Sequence, residues 1–260
     1  MIFILKEYTL YLFRCLFSPN RSVKSKQLNL IRDALKQVSK SNTNFRIAEQ
    51  QRIIFKKNNS EIEISDFGAG SRVFNTNKRK ISDLVRYASL SRKYGRLLAN
   101  ISSSFNINIA LELGTSLGLT SLYLAHSKNK IIIETVEACS NTAEIAIDSF
   151  RETNSNNINL HLENFDTFLA SAKLKTNTGL VYIDGNHSYG ASIKYFNILC
   201  EKLSDNSILI FDDIRHSKEM LRAWNKICNS SKSYLCIDLF RLGIVFLNPK
   251  TPSKLIYLFH

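Results

Sequence analysis

Residues 111–125, LELGTSLGLTSLYLA, combine residue types that could bind a cofactor containing a ribose. An apolar run predicts a strand before them, a helix is predicted to follow, and the two glycines allow a ligand to approach the backbone closely. Glu137 ends the next predicted strand, where its carboxylate could accept hydrogen bonds from ribose hydroxyls. The residues predicted to form this cofactor loop are Glu112, Gly114, Thr115, Ser116, Gly118 and Glu137. The two hydroxyl residues could also cap the following helix.

A second glycine stretch, DFGAGS at residues 66–71, has a similar composition but different surroundings. It is followed by RYASLSRKYG, residues 86–95, which predicts a basic helix with no acid at the end of a strand. We therefore interpret residues 66–71 as a structural turn, with a lid or a substrate contact as the alternative.

The glycine spacing distinguishes between cofactors. A loop for a dinucleotide has the pattern GxGxxG, which places a pyrophosphate on bare backbone at a helix N-terminus. Here the pattern is E-x-G-x-x-x-G, and Glu112 would repel a pyrophosphate. The same carboxylate would suit the cationic amino-acid end of S-adenosylmethionine. The spacing favours that cofactor and disfavours a nicotinamide-dependent oxidoreductase, which is the alternative enzyme class.

The elements around this loop predict an α/β fold. From residue 107 onward, five strand–helix pairs follow one another, which is typical of a doubly wound, Rossmann-like parallel sheet covered on both faces. SYLCIDLF and LGIVFLN, separated only by RLG, predict a terminal antiparallel hairpin with Gly243 as its turn residue. The helices predicted between the strands span residues 116–127, 141–153, 165–173, 188–203 and 217–229.

The first 80 residues predict a mainly helical extension with a short strand pair. Residues 28–38 have helical periodicity, and residues 52–55 and 61–64 resemble two strands joined by a turn. Residues 81–101 again predict a helix, which would begin the main domain, residues 81–260.

Residues 1–17, MIFILKEYTLYLFRCLF, predict a helix that docks on the body of the protein or on a partner. Lys6, Glu7 and Arg14 interrupt the run, whereas a transmembrane helix needs roughly 20 mostly apolar residues. Because the net charge of +13 favours anionic surfaces, peripheral membrane contact is the alternative. Association into a homodimer is a further alternative.

Composition bounds the remaining partners. The 260 residues contain five cysteines without CxxC spacing, which is typical of reduced thiols and predicts a cytoplasmic protein. The basic stretch around residues 72–96 suggests an anionic small-molecule or glycan acceptor. Nucleic acid is disfavoured, because no basic patch is interleaved with aromatic residues.

Residues 93–125, KYGRLLANISSSFNINIALELGTSLGLTSLYLA, resemble the class I S-adenosylmethionine-dependent O-methyltransferases, particularly the catechol and caffeoyl-CoA type and uncharacterised bacterial relatives. The resemblance covers about residues 90–247 and implies a seven-stranded sheet and methyl transfer to an oxygen of a small or glycan-like acceptor. It also implies that Asn164 contacts the adenine and that Gly95 lies near the methionine end of the cofactor. A non-catalytic binding protein with the same fold is a further alternative.

The resemblance also assigns roles to VYIDGNHSYG, residues 181–190, and IFDDIRH, residues 210–216. It places Asp184, Asp212 and Asp213 at a divalent metal site, which oxygen ligands make suitable for Mg²⁺. It places His187 where the family has a lysine base, and an ordinary histidine pKa of about 6.5 would suit a base at neutral pH. Asp184, Asp213 and His187 are therefore the predicted catalytic residues, and Asp184 is also expected to contact the cofactor. For His187, a capping or surface role is the alternative.

Overall fold

The structure is a computed structural model that describes residues 2–17, 25–40, 43–65, 77–127, 131–171, 174–248 and 254–258. The helices are α1 (Ile2–Phe17), α2 (Lys26–Gln37), α3 (Arg46–Lys57), α4 (Ile81–Asp83), α5 (Arg92–Ser104), α6 (Leu119–Ala125), α7 (Ser140–Glu152), α8 (Phe165–Ala170), α9 (Tyr189–Lys202) and α10 (Lys218–Cys228). The strands are β1 (Glu61–Glu63), β2 (Lys78–Lys80), β3 (Ile109–Leu113), β4 (Ile132–Glu137), β5 (Ile158–Leu162), β6 (Leu180–Ile183), β7 (Ile208–Phe211), β8 (Ser233–Leu239), β9 (Leu242–Leu247) and β10 (Lys254–Tyr257).

The chain forms two compact units. The middle unit comprises Lys26–Ser171, and the terminal unit comprises Met1–Ser25 together with Ala172–His260.

In the middle unit, β3, β4 and β5 are parallel neighbours. The helices between them pack on a buried cluster that includes Phe45, Tyr123 and Phe150. Gly95 lets α5 approach α6 closely, because a Cβ atom at that position would lie 2.4 Å from the Tyr123 ring. Gly118 similarly faces Phe150 at 2.5 Å. The two glycines therefore serve helix packing around the end of β3.

Two predictions for the first hundred residues are wrong. Residues 52–55 are not a strand but belong to α3, which buries one helical face through Ala48, Gln51, Arg52 and Phe55. Their spacing is that of a helix, and this periodicity outweighs the β-branched pair at residues 53 and 54. A short strand pair does exist, but β1 pairs with β2. The helix predicted over residues 81–101 is interrupted, since a π-helical turn ends at Ala88 and α5 begins at Arg92. The stretch at 66–71 lies outside the described residues.

In the terminal unit the strand order is β10-β8-β9-β7-β6. β6 and β7 are parallel, whereas β9 runs antiparallel to both β7 and β8. The predicted hairpin is therefore confirmed, but Gly243 is not its turn residue. Gly243 lies inside β9, where a Cβ atom would lie 2.5 Å from the Trp224 ring. The turn instead contains Phe240, whose φ is 69°.

The α/β class, the parallel strands that alternate with helices and the helical N-terminal region are confirmed. Strands β3–β5 of the middle unit and β6–β10 of the terminal unit number eight rather than the predicted seven, because β10 was not predicted. It pairs with β8 in parallel.

The helix predicted over residues 1–17 is confirmed as α1. Its buried side chain Tyr11 is 2% exposed, donates a hydrogen bond to the Leu258 carbonyl oxygen and lies 5.4 Å from the Phe240 ring. The guanidinium carbon of Arg215 lies 5.5 Å from the Tyr11 ring. In the part of the chain that the structure describes, no helix is long and apolar enough to cross a bilayer.

Candidate functional site

The glycine loop begins where β3 ends and turns tightly against β4. The N–H groups of Gly114 and Thr115 donate to the Val136 carbonyl oxygen at 3.0 and 3.2 Å, and Gly118 donates to the Thr115 carbonyl oxygen at 2.8 Å. Gly114 has a φ of 107° and Gly118 a φ of 76°, which glycine adopts without steric cost. The two glycines therefore give this turn a backbone conformation that other residues rarely adopt.

Glu137 is held in place by backbone N–H groups. Its Oε2 accepts from Ser116 at 2.8 Å, and its Oε1 accepts from Ala138 at 3.0 Å and from Cys139 at 2.9 Å. Burial raises the pKa of Glu137 above its ordinary value, although these backbone hydrogen bonds act in the opposite direction. The carboxylate at the end of β4 is thus oriented before any ligand binds.

Glu112 is fully buried, and two hydroxyl groups donate to its Oε2 atom. Thr135 donates at 2.6 Å, and Ser121 donates as well. The hydroxyl oxygen of Thr115 lies 2.6 Å from that of Thr135 and extends this chain of hydroxyls. Thr115 therefore supports the Glu112 carboxylate. The predicted capping role of Thr115 and Ser116 is wrong, since α6 begins at Leu119 and has Gly118, without a side-chain cap, as its N-cap residue.

Two further residues assigned to the cofactor have local roles in the fold. Gly95 lies inside α5 against the Tyr123 ring. Asn164 caps α8, and its Oδ1 accepts from the Thr167 N–H at 2.8 Å. Their contacts with a cofactor remain predictions.

The terminal unit brings the predicted catalytic residues together into an acid cluster: Tyr182, Asp184, His187, Asp212, Asp213, His216 and Arg241. Asp184 follows β6 directly, and both Asp212 and Asp213 follow β7. The Tyr182 hydroxyl lies 3.1 Å from Asp184 Oδ2 and 2.9 Å from Asp212 Oδ2. His187 Nε2 lies 3.5 Å from Asp184 Oδ1. The tyrosine hydroxyl thus connects the carboxylates that follow the two parallel strands.

The same cluster contains a residue that sequence reasoning missed, Arg241. It lies in the turn of the β8–β9 hairpin, and its Nε and Nη2 atoms donate to the two oxygens of Asp212, each at 2.8 Å. The Nε atom also lies 3.3 Å from Asp213 Oδ1. The only sequence signal for such a residue was that several carboxylates close together require a cation or a proton.

Electrostatics determine the protonation of the cluster. Burial lowers the pKa of His187, but its hydrogen bond to Asp184 and the charge of that carboxylate outweigh burial. The hydrogen bond and charge of Asp184, together with the charges of Asp212 and Asp213, raise the pKa of His187 to about 9. Burial and the charge of Asp212 raise the pKa of Asp213 to about 6, against the opposing charges of Arg241 and His187. His187 is therefore protonated at neutral pH, and the expectation of an ordinary histidine pKa is wrong.

The donor set does not fit the divalent cation expected at Asp184, Asp212 and Asp213. Asp212 Oδ1 accepts from Arg241 Nε and from the Asp213 N–H at 2.7 Å, and its Oδ2 accepts from Arg241 Nη2 and Tyr182. A carboxylate offers about four acceptor positions, and these contacts occupy all of them. Among the described residues, no group of three or more acidic, histidine or cysteine side chains is arranged to hold a metal ion.

His216 lies beside the proposed base. Its ring is stacked on that of His187 with 5.6 Å between the ring centroids, and its Nδ1 lies 3.9 Å from Asp213 Oδ2. The following helix α10 is capped by Ser217, which accepts from the Met220 N–H at 3.1 Å. The cluster therefore contains two imidazole rings in contact.

Comparison with known proteins places this arrangement in context. Residues 111–214 match the model of a family described as a methyltransferase domain. The match begins in β3 and includes Glu137, Asp184 and both aspartates after β7. No curated protein matches the chain significantly.

Solved structures of methyltransferases resemble the chain over most of its length. The O-methyltransferase from Bacillus cereus in complex with S-adenosylhomocysteine has a TM-score of 0.58 at 13% identity and covers 85% of this chain and 97% of its own. The S-adenosylhomocysteine-bound methyltransferase PaMTH1 from Podospora anserina has a TM-score of 0.60 at 12% identity, with 87% and 97% covered. A Staphylococcus aureus protein assigned as a caffeoyl-CoA O-methyltransferase has a TM-score of 0.57 at 15% identity, with 64% and 88% covered.

The family match and these structures confirm the resemblance found in the sequence. Residues 111–214 match a methyltransferase domain, and the chain has the fold of these methyltransferases.

Proposed function

We propose that the chain transfers a methyl group from S-adenosylmethionine to an oxygen of a small or glycan-like acceptor. We assign residues 81–260 to the methyltransferase domain and residues 1–80 to an N-terminal extension. The observation that carries this proposal is the Glu137 carboxylate, which backbone N–H groups hold beside a glycine turn. That pairing suits a ribose, because the carboxylate keeps an acceptor position for a ribose hydroxyl beyond its three backbone N–H contacts.

The residues of the middle unit would hold the cofactor, which supplies, when bound, a methyl group on a sulfonium sulfur. Glu137 would orient the ribose. Glu112, buried and supported by hydroxyls, would attract the cationic methionine end, which a carboxylate favours by its charge. Gly114, which is half-buried, would let the cofactor approach bare backbone, whereas Gly118 packs on Phe150 and shapes the turn. A nicotinamide dinucleotide fits less well, since Glu112 would lie where a pyrophosphate needs donors.

The acid cluster of the terminal unit would activate the acceptor. We assign His187 as the base, which takes the hydroxyl proton while the acceptor oxygen forms its bond to the methyl carbon and the bond from that carbon to sulfur breaks. Asp184, 3.5 Å from His187 Nε2, would stabilise the imidazolium that forms. This leaves Nδ1 as the ring nitrogen that accepts the proton.

Calorimetric titration with S-adenosylmethionine and with NADH tests the assignment of the cofactor. We expect binding of S-adenosylmethionine alone, and we expect Glu137→Ala to weaken it about 100-fold, since each hydrogen bond to a charged group contributes roughly 1.5–3 kcal/mol. Glu152→Ala is the control, because Glu152 is an exposed acid at the end of α7. Equal affinities for Glu137→Ala and the unmodified chain would refute the assignment. Turnover with a panel of phenols, hydroxy acids and sugars then separates an enzyme from a binding protein.

We also propose that α1 places the protein on an anionic membrane surface. Leu5, Phe13 and Phe17 on α1 are 67%, 60% and 66% exposed. Large apolar side chains on the free face of a helix suit the boundary of a bilayer, and the net charge of +13 adds attraction to anionic lipids.

Co-sedimentation with phosphatidylserine-containing and phosphatidylcholine vesicles tests this contact. We expect binding to the anionic vesicles, and we expect a Phe13→Ser, Phe17→Ser double variant to lose it. Ile54→Ser on α3 is the control, since Ile54 is another exposed apolar residue at 55% exposure. A concentration-dependent dimer without vesicle binding would instead assign the apolar face to a second copy of the chain.

A further inference from the structure

We propose that Arg241 supplies, from within the chain, the positive charge for which the three aspartates would otherwise need a divalent cation. Methyl transfer by this protein would then be independent of metal. The consequence for methyl transfer depends on the proposed function, whereas the consequence for metal binding does not.

The contact between Arg241 and Asp212 is bidentate. Both distances are 2.8 Å, the Asp212 side chain is fully buried, and the Arg241 side chain is 30% exposed. A guanidinium presents donors in a planar fork that matches the two oxygens of a carboxylate. It therefore occupies both oxygens at once, and a metal ion would have to displace it.

The position of Arg241 also links the two aspartates that follow β7. Its Nε atom donates to Asp212 and lies 3.3 Å from Asp213 Oδ1. Burial lowers the pKa of Arg241, but its hydrogen bond to Asp212 and the charges of both aspartates raise it, so the guanidinium stays charged. One side chain thus contacts both adjacent carboxylates and offsets one of their two negative charges without a bound ion.

From Arg241 a continuous series of contacts reaches the proposed base. Asp212 Oδ2 lies 2.9 Å from the Tyr182 hydroxyl, which lies 3.1 Å from Asp184 Oδ2. Asp184 Oδ1 in turn lies 3.5 Å from His187. In the contacts described here Arg241 reaches His187 through these groups, and we therefore describe it as a positioning residue.

Titration of the free protein with Mn²⁺, followed by electron paramagnetic resonance, tests the replacement directly. We expect no site with a dissociation constant of about 1 mM or tighter in the unmodified chain, whereas Arg241→Ala should gain one within this range, since oxygen-ligand sites commonly reach it. Arg241→Lys keeps the charge and should remain without such a site. Arg222→Ala is the control, because Arg222 is an exposed arginine on α10 that stacks on Tyr189. Mn²⁺ binding by the unmodified chain, or no gain in a folded Arg241→Ala protein, would overturn the proposal.

Thermal unfolding of each variant shows whether it folds, and Arg241→Gln replaces Arg241→Ala in the titration if the alanine variant does not. Activity provides a second measurement. EDTA should leave turnover within twofold of its initial value, whereas Arg241→Ala should lower kcat at least tenfold without changing the affinity for S-adenosylmethionine, and Arg241→Lys should recover part of kcat.

A tenfold loss of turnover on EDTA treatment that Mg²⁺ restores would also overturn the proposal. Failure of the proposed function would look different, because it would abolish binding of S-adenosylmethionine while leaving the Mn²⁺ results unchanged.

Discussion

The glycine loop of the middle unit and the acid cluster of the terminal unit both hold buried carboxylates, but they hold them by different means. Glu137 is fixed by neutral backbone N–H groups from Ser116, Ala138 and Cys139. Asp212 is fixed by the charged Arg241. A carboxylate fixed by amides is ready for neutral hydroxyls, whereas carboxylates paired with a cation control the proton affinity of a neighbouring group.

This difference predicts that mutations in the glycine loop change cofactor affinity, whereas mutations in the acid cluster change kcat. The largest expected effect is the loss of kcat in His187→Asn. Loss of a general base lowers kcat by roughly 10²–10⁴-fold. Affinity for S-adenosylmethionine should stay unchanged, because His187 is not among the residues proposed to bind the cofactor. Steady-state kinetics and calorimetry measure the two quantities.

His126→Asn is the matched control for that experiment. His126 belongs to the middle unit, where its Nε2 lies 2.8 Å from the Ser155 hydroxyl oxygen, and it should leave kcat within about threefold. A parallel loss of kcat and cofactor affinity in His187→Asn would mean that the histidine supports the fold rather than proton transfer.

Asp184→Asn should move the pH dependence of the reaction. His187 accepts a proton only when it is neutral, and its pKa of about 9 leaves it mostly protonated at pH 7. In the unmodified protein, kcat/KM should therefore rise about tenfold per pH unit and level off near pH 9, since this profile reports the free enzyme. Removing the charge of Asp184 leaves burial, which lowers the pKa, less opposed.

The rise should then level off about two pH units lower in Asp184→Asn, a change of about 2.7 kcal/mol in the proton affinity of His187. The pH at which kcat/KM levels off is the informative measurement, because an effect of Asp184 on the maximal rate does not move this midpoint. Asp205→Asn, a change at an exposed acid of the same unit, should leave it in place. An unchanged midpoint in Asp184→Asn would mean that the charge of Asp184 does not raise the pKa of His187.

The same contrast explains what the sequence could predict. The glycine loop was predictable because its partners follow one another closely along the chain and a turn of that conformation requires glycine. The predicted hairpin was likewise correct, since too few residues separate its strands for a crossover. Strand β10 could not be predicted, because its four residues form a strand only by pairing with β8.

The acid cluster was predictable only in part. Asp184 and Asp212 follow apolar strands, and this predicted that they share one edge of a sheet. Arg241 is separated from Asp212 by 29 residues, and nothing in the local pattern of RLG indicates an ion pair. The pKa of His187 depends on that tertiary arrangement too. The prediction of a strand over residues 52–55 was wrong for a similar reason, because burial of a helical face outweighed local β propensity.

The smallest predicted effect is on the free energy of unfolding when a glycine of the glycine loop is replaced. In Gly118→Ala, the new Cβ would lie 2.5 Å from the Phe150 ring, and alanine would have to adopt a φ of 76°. A left-handed conformation and a crowded side chain each cost roughly 1–2 kcal/mol, so we expect the free energy of unfolding to fall by about 2 kcal/mol. Gly190→Ala is the matched control, since Gly190 lies in α9 with no atom within 4 Å of a new Cβ, and it should be neutral or stabilising by up to about 1 kcal/mol. Urea unfolding measures both variants, and equal midpoints would mean that the loop can relax around the added methyl group, so that its conformation is not fixed by Gly118.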